Sequence, residues 1–247
     1  MNRALRVCFA ALLFAGILSS CGRDGSAAYE ELRGVTDAFR AASRREADFQ
    51  AETAFADPAD GSGSILYSIS GHASSDGAEP WAKQTYTATL LANTTKAEDE
   101  FRNNERIHTE NGKTVVSQEN TESVLRQFPF QAPGLPDRSS VASIEVSENR
   151  RGTLYTVTEP GTAERLDELC GWDWYTMSGI NYPDRSRETF GPLVTRYTVS
   201  DGLLLSYSAE CTFRIYAAAG YTPGYSDPEG NGLDLTVRLQ WTYSYPE

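Results

Sequence analysis

The spacing of apolar residues divides this chain into a short apolar run at the N-terminus, one amphipathic helix and a long series of strands. Across residues 27–47, apolar side chains recur every three or four positions, which predicts a helix with one apolar face. That face carries Tyr29, Leu32, Thr36, Phe39 and Ala42. After this segment the period changes to two, which is typical of strands with one buried and one solvated face.

Alternation of apolar and polar residues is most regular near the C-terminus. Residues 193–199 lead into Asp201-Gly202, a dipeptide favoured in tight hairpin turns. The same alternation recurs in residues 49–55, 65–69, 86–90, 203–215 and 233–245. These segments predict an antiparallel meander of about eight to eleven strands in an α+β fold. Because twist accumulates in a sheet this wide, we expect a strongly curved half-barrel.

A second helix is predicted in the middle of the chain. Thr162 is a suitable cap, Glu164 lies in the first turn, and apolar residues follow at helical spacing. Those residues are Leu166, Leu169, Cys170, Trp174 and Met177. We expect both helices to cover the concave side of the sheet. Prolines and glycines predict loops in residues 119–148, 179–192 and 217–232.

The N-terminus has the layout of a secretory signal. Arg3 and Arg6 precede an apolar run over residues 7–18, which is too short to span a membrane comfortably. The following Leu18-Ser19-Ser20-Cys21 resembles the bacterial lipobox. That resemblance implies a signal peptide over residues 1–20 and a diacylglycerol anchor, with palmitate-type chains, on Cys21. We expect residues 21–28 to be a tether and residues 29–247 to form one domain.

The predicted anchor and the charge of the chain restrict its location and partners. Two acyl chains hold a protein stably, which places the domain on the extracytoplasmic face of the cell membrane. The chain has 22 basic and 34 acidic residues, a net charge of −12. A negative protein is not attracted to nucleic acid, so we expect no nucleic acid partner. We also expect the protein to be a monomer.

No motif in the sequence predicts catalysis or a cofactor. His72 and His108 are the two histidines, and no zinc-protease, nucleophile-elbow or phosphate-loop spacing is present. Residues 227–232 resemble the first half of a calcium loop, but Arg238 occupies the position that requires a bidentate glutamate. We therefore predict no metal site and no enzyme, with a lipid-anchored hydrolase as the catalytic alternative.

Two cysteines and several aromatic residues are the remaining candidates for function. Cys170 and Cys211 stay in the mature chain, where they either form a disulfide or are two buried thiols. Four aromatic residues are candidates to line an apolar pocket, and the alternative is that they fill the core. They are Trp174, Tyr207, Phe213 and Trp241.

The order of these features resembles that of the LolA/LppX-type lipoproteins, including a Gram-positive-like branch. The shared features are a lipobox, a short tether, an N-terminal helix, alternating strands and a mid-chain helix. Residues 196–215 and 233–243 carry the resemblance most strongly. It implies a curved sheet that binds a lipid or acyl chain on its concave face. The alternative is a structural lipoprotein with a filled core that contacts envelope proteins.

Overall fold

The computed structural model describes residues 25–42, 44–55, 65–76, 81–90, 93–131, 133–170, 184–216 and 232–245. Its helices are α1 (Gly25–Ala41), α2 (Thr121–Val124) and α3 (Ala163–Cys170), with a 3-10 turn at Arg138–Ser140. Its strands are β1 (Arg44–Phe55), β2 (Ile65–Asp76), β3 (Trp81–Leu90), β4 (Asn93–Arg102), β5 (Glu105–Glu110), β6 (Lys113–Gln118), β7 (Ser143–Asn149), β8 (Gly152–Pro160), β9 (Thr189–Ser200), β10 (Leu203–Ile215) and β11 (Leu233–Ser244).

All the described strands form one antiparallel sheet, which confirms the predicted fold class. Their order is β6-β5-β4-β3-β2-β1-β11-β10-β9-β8-β7, so the first and last strands of the chain pair at the centre. The sheet is not closed into a barrel, because β6 and β7 remain as its two edges. It is a curved half-barrel with 11 strands, the upper end of the predicted range.

Strict alternation places the apolar side chains of the central strands on the concave face. Phe49 on β1 lies opposite Trp241 on β11, and Trp241 lies opposite Tyr207 on β10. Tyr207 in turn lies opposite Tyr197 on β9. All four side chains are at most 3% exposed. Burial of large aromatic residues is a major source of stability in such a core.

Helix α1 covers this face with the apolar stripe that the sequence predicts. Its buried residues are Ala28, Tyr29, Leu32, Val35, Thr36 and Phe39. The Phe39 ring packs against Tyr243 with centroids 4.6 Å apart, and the Tyr29 hydroxyl donates to the Pro136 carbonyl at 2.8 Å. These contacts tie the helix to β11 at one end and to the loop before β7 at the other.

The limits of α1 differ from the predicted helix at both ends. The helix begins at Gly25, so residues 25–28 of the expected tether are helical, and Ala28 is fully buried. It ends at Ala41 instead of continuing to residue 47, because residues 44–47 pair with β2 and residues 46–47 also pair with β11. Ladder hydrogen bonds to two strands satisfy this backbone better than one more helical turn.

The structure also corrects the long loop predicted over residues 119–148. This segment contains α2, the 3-10 turn and most of β7. Strand β7 has few apolar residues, because it lies at the edge of the sheet and pairs only with β8. Its alternation is limited to Ile144 and Val146, which face the core.

Turn and cap predictions are confirmed where the structure describes them. The predicted turn at Asp201-Gly202 has positive φ at both residues, which is the backbone that a two-residue hairpin turn requires, and Asn111-Gly112 has the same backbone. Thr162 caps α3 by accepting a hydrogen bond from the Arg165 amide at 3.1 Å. None of the helices in the described ranges combines the length and apolar composition needed to cross a membrane.

Candidate functional site

Three of the four aromatic residues predicted to line a pocket lie in the core, and Trp174 lies outside the described residues. Tyr207, Phe213 and Trp241 are at most 2% exposed. The Trp241 and Tyr207 ring centroids are 5.1 Å apart, and the Trp241 indole N–H donates to the Pro129 carbonyl at 3.0 Å. These three residues are therefore surrounded by other side chains of the protein. They do not line the clefts described below.

Cys170 and Cys211 are buried free thiols, the second of the two alternatives that the sequence leaves open. Burial raises the pKa of each thiol to about 12. Because the thiolate is the nucleophilic form, neither cysteine is suited to covalent chemistry. Cys21 and the predicted signal peptide lie outside the described residues, so the lipobox remains a prediction from the sequence.

The convex face of the central strands carries a small polar cleft of about 230 Å³. At its centre, the Arg238 guanidinium donates to Glu52 and to Glu210, each at 3.0 Å. These residues occupy opposed positions on three adjacent strands, as alternation predicts for a solvated face. Such exposed ion pairs contribute little free energy and indicate no ligand.

A larger cleft lies on the other side of the sheet, between the three helices and the start of β1. It has a volume of about 480 Å³, and we name it the arginine cleft. It is lined by Arg40, Arg45, Leu125, Arg126, Gln131 and Glu168. The last turn of α1 supplies Arg40, the start of β1 supplies Arg45, and α3 supplies Glu168. The turn that follows α2 supplies the other three residues.

Arg45 is the most constrained of the three arginines. It stands on the concave side at the start of β1, with its guanidinium 5.1 Å from the centroid of the Phe39 ring. Its Nε–H is buried and has no hydrogen-bond partner among the described residues. Burial lowers the pKa of Arg45, while the nearby Tyr243 and Tyr245 oppose that shift. An arginine remains charged at neutral pH even so, and the cleft therefore holds a partly desolvated cation.

Gln131 provides a second buried polar atom without a partner. Its side chain is 8% exposed, and its amide nitrogen donates to the Leu169 carbonyl at the end of α3. The amide oxygen Oε1 is buried and accepts no hydrogen bond from the part of the chain that the structure describes. A buried polar atom left unpaired costs about 1–3 kcal/mol, so such atoms are rare in folded proteins.

The remaining lining residues differ in how far their charges are neutralised. Arg40 pairs with Asp37 at 3.0 Å on the exposed surface of α1. Within the described part of the chain, Arg126 forms no ion pair. Glu168 is held by Arg165 at 2.7 Å. The cleft therefore carries three cations and one carboxylate, which is already engaged, in a chain whose net charge is −12.

A neighbouring cleft of about 420 Å³ shares Arg45 with the arginine cleft. It lies where β1, β2 and β3 begin or end, and it is lined by Arg44, Arg45, Glu46, Ser74, Ser75, Asp76 and Trp81. Two of its charges pair with each other, since Arg44 Nε lies 3.1 Å from Asp76. The Trp81 indole N–H is also engaged, because it donates to Glu100 at 3.3 Å.

Arg165 holds α3 against the sheet and so fixes one wall of the arginine cleft. Its Nε donates to the buried Glu159 at 3.1 Å, and its Nη2 donates to the Gly134 carbonyl at 2.7 Å. Burial raises the pKa of Glu159, although Arg165 opposes that shift. The Tyr197 hydroxyl donates to the same Gly134 carbonyl at 3.0 Å. Strand β8, α3 and the loop before β7 are thereby joined through one guanidinium.

A second buried ion network lies on the β3–β5 wing. Asp99 is fully buried and accepts hydrogen bonds from Arg106 and His108 at 2.8 Å and from Gln84 at 3.0 Å. Burial raises the pKa of Asp99, but the hydrogen bonds from Arg106 and His108 outweigh it and lower the pKa overall. Each Asp99 oxygen is thus occupied by a partner within the protein. Among the described residues, no group of three potential ligands is placed to hold a metal ion.

Comparisons with known proteins find similar shapes but no family. No family model matches the chain, and no curated protein matches it in sequence. The structure of LprF from Mycobacterium bovis aligns over 92% of this chain and 99% of its own, with 11% identity and a TM-score of 0.44. A DUF1329 family protein from Desulfovibrio piger aligns over 91% of this chain and 94% of its own, with 10% identity and a TM-score of 0.25. With TM-scores below 0.5, neither likeness supports an argument about this chain, and the LolA/LppX resemblance remains a prediction.

The sequence does not predict the arginine cleft, and the positions of its residues explain why. Arg40 and Arg45 sit at the end of a helix and the start of a strand, where solvated cations are common. Arg126 and Gln131 fall in a segment predicted to be a loop. The spacing of these four residues in the sequence does not indicate that they are close together. The packing of three separate helices beside the start of β1 brings them together. The one available signal is a concentration of arginine between residues 33 and 45 in an acidic chain.

Proposed function

We propose that this protein is a lipid-anchored, non-catalytic binding protein of the cell envelope, whose ligand is apolar or amphiphilic, such as a lipid or an acyl chain. The ligand site is the arginine cleft at the concave side of the sheet. The observation that carries this proposal is the composition of that cleft. It has a volume of about 480 Å³ and is lined in part by two polar side chains, each with a buried atom that has no partner among the described residues. Ligand sites typically have this size and a few convergent polar groups.

The packing of the core favours a ligand site at the helices over one deep in the sheet. Tyr207 and Trp241 are each 1% exposed, and helix α1 covers them. A close-packed interior of this kind has no room for an acyl chain. Leu125 supplies an apolar wall of the arginine cleft, and it is partly buried against the core. A short apolar segment of a ligand can therefore lie against Leu125 while its polar part faces the arginines.

The predicted anchor gives such a site direct access to a membrane. Cys21 precedes the first residue of α1, Gly25, by four positions, and four residues span at most about 14 Å. A lipid on Cys21 therefore keeps α1 beside the extracytoplasmic surface of the cell membrane. Arg40 is 15 residues further along this helix, a distance of about 22 Å. We propose a monomer that works at this surface without a nucleic acid partner.

The second candidate is a structural lipoprotein that contacts other envelope proteins. The filled core favours it, and so do Val115 and Val116 on the edge strand β6, which are 60% and 58% exposed. Exposed apolar residues on an unpaired edge are a common contact for a partner strand. Crosslinking at Val116 in cells tests this candidate: a single dominant protein adduct supports it, and the absence of any adduct contradicts it.

The binding proposal is tested with the full chain purified from membranes and reconstituted in phosphatidylcholine nanodiscs. The probe is a fluorescent fatty acid, with empty nanodiscs as the blank. Leu125→Trp fills the arginine cleft, and Val116→Trp places the same bulk on an exposed edge outside it. We expect Leu125→Trp to weaken probe binding at least about tenfold, which corresponds to about 1.4 kcal/mol. Equal probe binding by the parent protein and both variants, or no probe binding by any of them, overturns the proposal.

A further inference from the structure

We propose that the arginine cleft binds an anionic group, a phosphate or a carboxylate, that also carries an O–H or N–H donor. This inference rests on the proposed binding function and narrows its ligand to acidic amphiphiles. It is drawn from three features of the cleft: its excess of guanidinium groups, its two buried polar atoms without partners, and the engagement of its one carboxylate by a residue outside it.

The charge in the cleft is opposite to that of the chain. Arg40, Arg45 and Arg126 line it, whereas acidic residues outnumber basic ones by 34 to 22 over the whole sequence. Glu168 is the acidic residue in the lining, and the Arg165 guanidinium binds it at 2.7 Å. Arg40 pairs with Asp37 on α1, whereas no carboxylate of the described residues pairs with Arg45 or Arg126, so two of the three cations are not neutralised. Guanidinium groups bind phosphate and carboxylate oxygens through paired N–H donors, which makes arginine the residue of choice for such ligands.

The two buried atoms without partners define what the ligand must offer. Arg45 Nε–H is a donor, so it requires an acceptor such as an anionic oxygen. Gln131 Oε1 is an acceptor, so it requires a donor. A hydrogen phosphate, a phosphate ester with a neighbouring hydroxyl, or a protonated amine beside a carboxylate offers both. A neutral acyl chain offers neither and leaves both atoms unpaired.

Apolar groups next to the arginines select an amphiphile over a free ion. The Phe39 ring lies under the Arg45 guanidinium at 5.1 Å, and Leu125 forms part of the wall. Phe39 is itself buried beneath Arg45, so Leu125 is the apolar lining residue that the alkyl group of a bound anion can contact. The burial of each additional methylene is worth about 0.8 kcal/mol, so an alkyl phosphate is expected to bind more tightly than inorganic phosphate.

The experiment measures binding of three probes to the full chain in phosphatidylcholine nanodiscs by isothermal titration calorimetry. The probes are octyl phosphate, octyl glucoside as its neutral counterpart, and inorganic phosphate. The variants are Arg45→Gln and Arg126→Gln, with Arg150→Gln as a matched control on an exposed turn outside the cleft. Thermal unfolding followed by circular dichroism checks that each variant is folded. Arg126 is exposed, so its variant tests the charge even if Arg45→Gln is unstable.

We expect octyl phosphate to bind at least about tenfold more tightly than octyl glucoside, as the loss of one charge-assisted hydrogen bond implies. Arg45→Gln and Arg126→Gln should remove most of that preference, and Arg150→Gln should retain it. Tighter binding of octyl phosphate than of inorganic phosphate identifies a lipid-type ligand, and equal binding identifies a free anion. If octyl glucoside binds as well as octyl phosphate, the anion inference is overturned and the binding function stands. If no probe binds, both the anion inference and the proposed binding function are overturned.

Discussion

Replacement of Arg165 by methionine tests how the wall of the arginine cleft is held. Arg165 is 13% exposed and is the ion-pair partner of Glu159, which is 3% exposed. In the Arg165→Met variant the Glu159 carboxylate remains buried without a counter-charge. Removing one partner of a buried ion pair typically costs about 3–5 kcal/mol. The exposed partner Glu168 contributes little, because surface ion pairs are worth about 0–1 kcal/mol.

Protonation of Glu159 limits this loss and makes it depend on pH. The ordinary pKa of the glutamate is 4.5. Protonating it at about pH 7 therefore costs about 3.4 kcal/mol, at 1.36 kcal/mol per unit of pH. At about pH 5 the same step costs about 0.7 kcal/mol. A glutamate with a raised pKa in the folded state binds its proton there first, so the variant regains stability as pH falls towards 4.5.

Urea unfolding followed by tryptophan fluorescence at the two pH values measures this effect. We expect Arg165→Met to lose about 3 kcal/mol at about pH 7, and at least about 2 kcal/mol less at about pH 5. The double variant Glu159→Gln/Arg165→Met should show no such recovery, and Glu168→Gln should differ little from the parent protein. Equal losses at both pH values in Arg165→Met would refute the reasoning, because the buried carboxylate would then not be their source.

Three further predictions concern the core and the second ion network. Gly71→Ala should destabilise the protein by about 1–3 kcal/mol in urea unfolding, since a Cβ there would overlap the Thr85 carbonyl oxygen of β3 and lie 2.9 Å from Phe49 Cζ. A milder loss would mean that β2 and β3 can separate. Cys170 and Cys211 should react with a thiol reagent only after urea is added, because burial raises both pKa values to about 12. Rapid reaction in the native state would contradict their placement. The lowered pKa of Asp99 stabilises the fold above its ordinary value of 3.8, and this stability is lost as pH falls through the lowered value. Asp99→Asn should therefore reduce the acid dependence of the thermal midpoint, and an unchanged dependence would exclude this carboxylate as its source.

Helices and strands with a regular apolar period could be predicted because the period itself determines which side is buried. The stripe from Tyr29 to Phe39 and the alternation from Tyr207 to Ile215 are both buried on the concave side. The predicted alternation is wrong at the start of β10, because a register shift between Leu204 and Ser206 buries Leu204 and leaves Leu203 46% exposed. The apolar period does not predict strands β4, β5 and β6, because their inward positions carry polar residues such as Asp99 and His108. Burial of those residues depends on the ion pairs between neighbouring strands, and a pattern of hydrophobicity cannot reveal such pairs.

Local patterns in the sequence predict the fold class, the Asp201-Gly202 turn and the apolar faces of α1 and α3. Each of these follows from local physics: the period of side chains along the backbone, or the conformational preference of residues in a turn. The burial of Trp241 and Tyr207 in the core depends on the folded structure. So does the meeting of Arg45, Arg126 and Gln131 in one cleft. Packing density and the partners of a buried polar atom depend on segments that are distant in the chain. Local spacing therefore does not predict them.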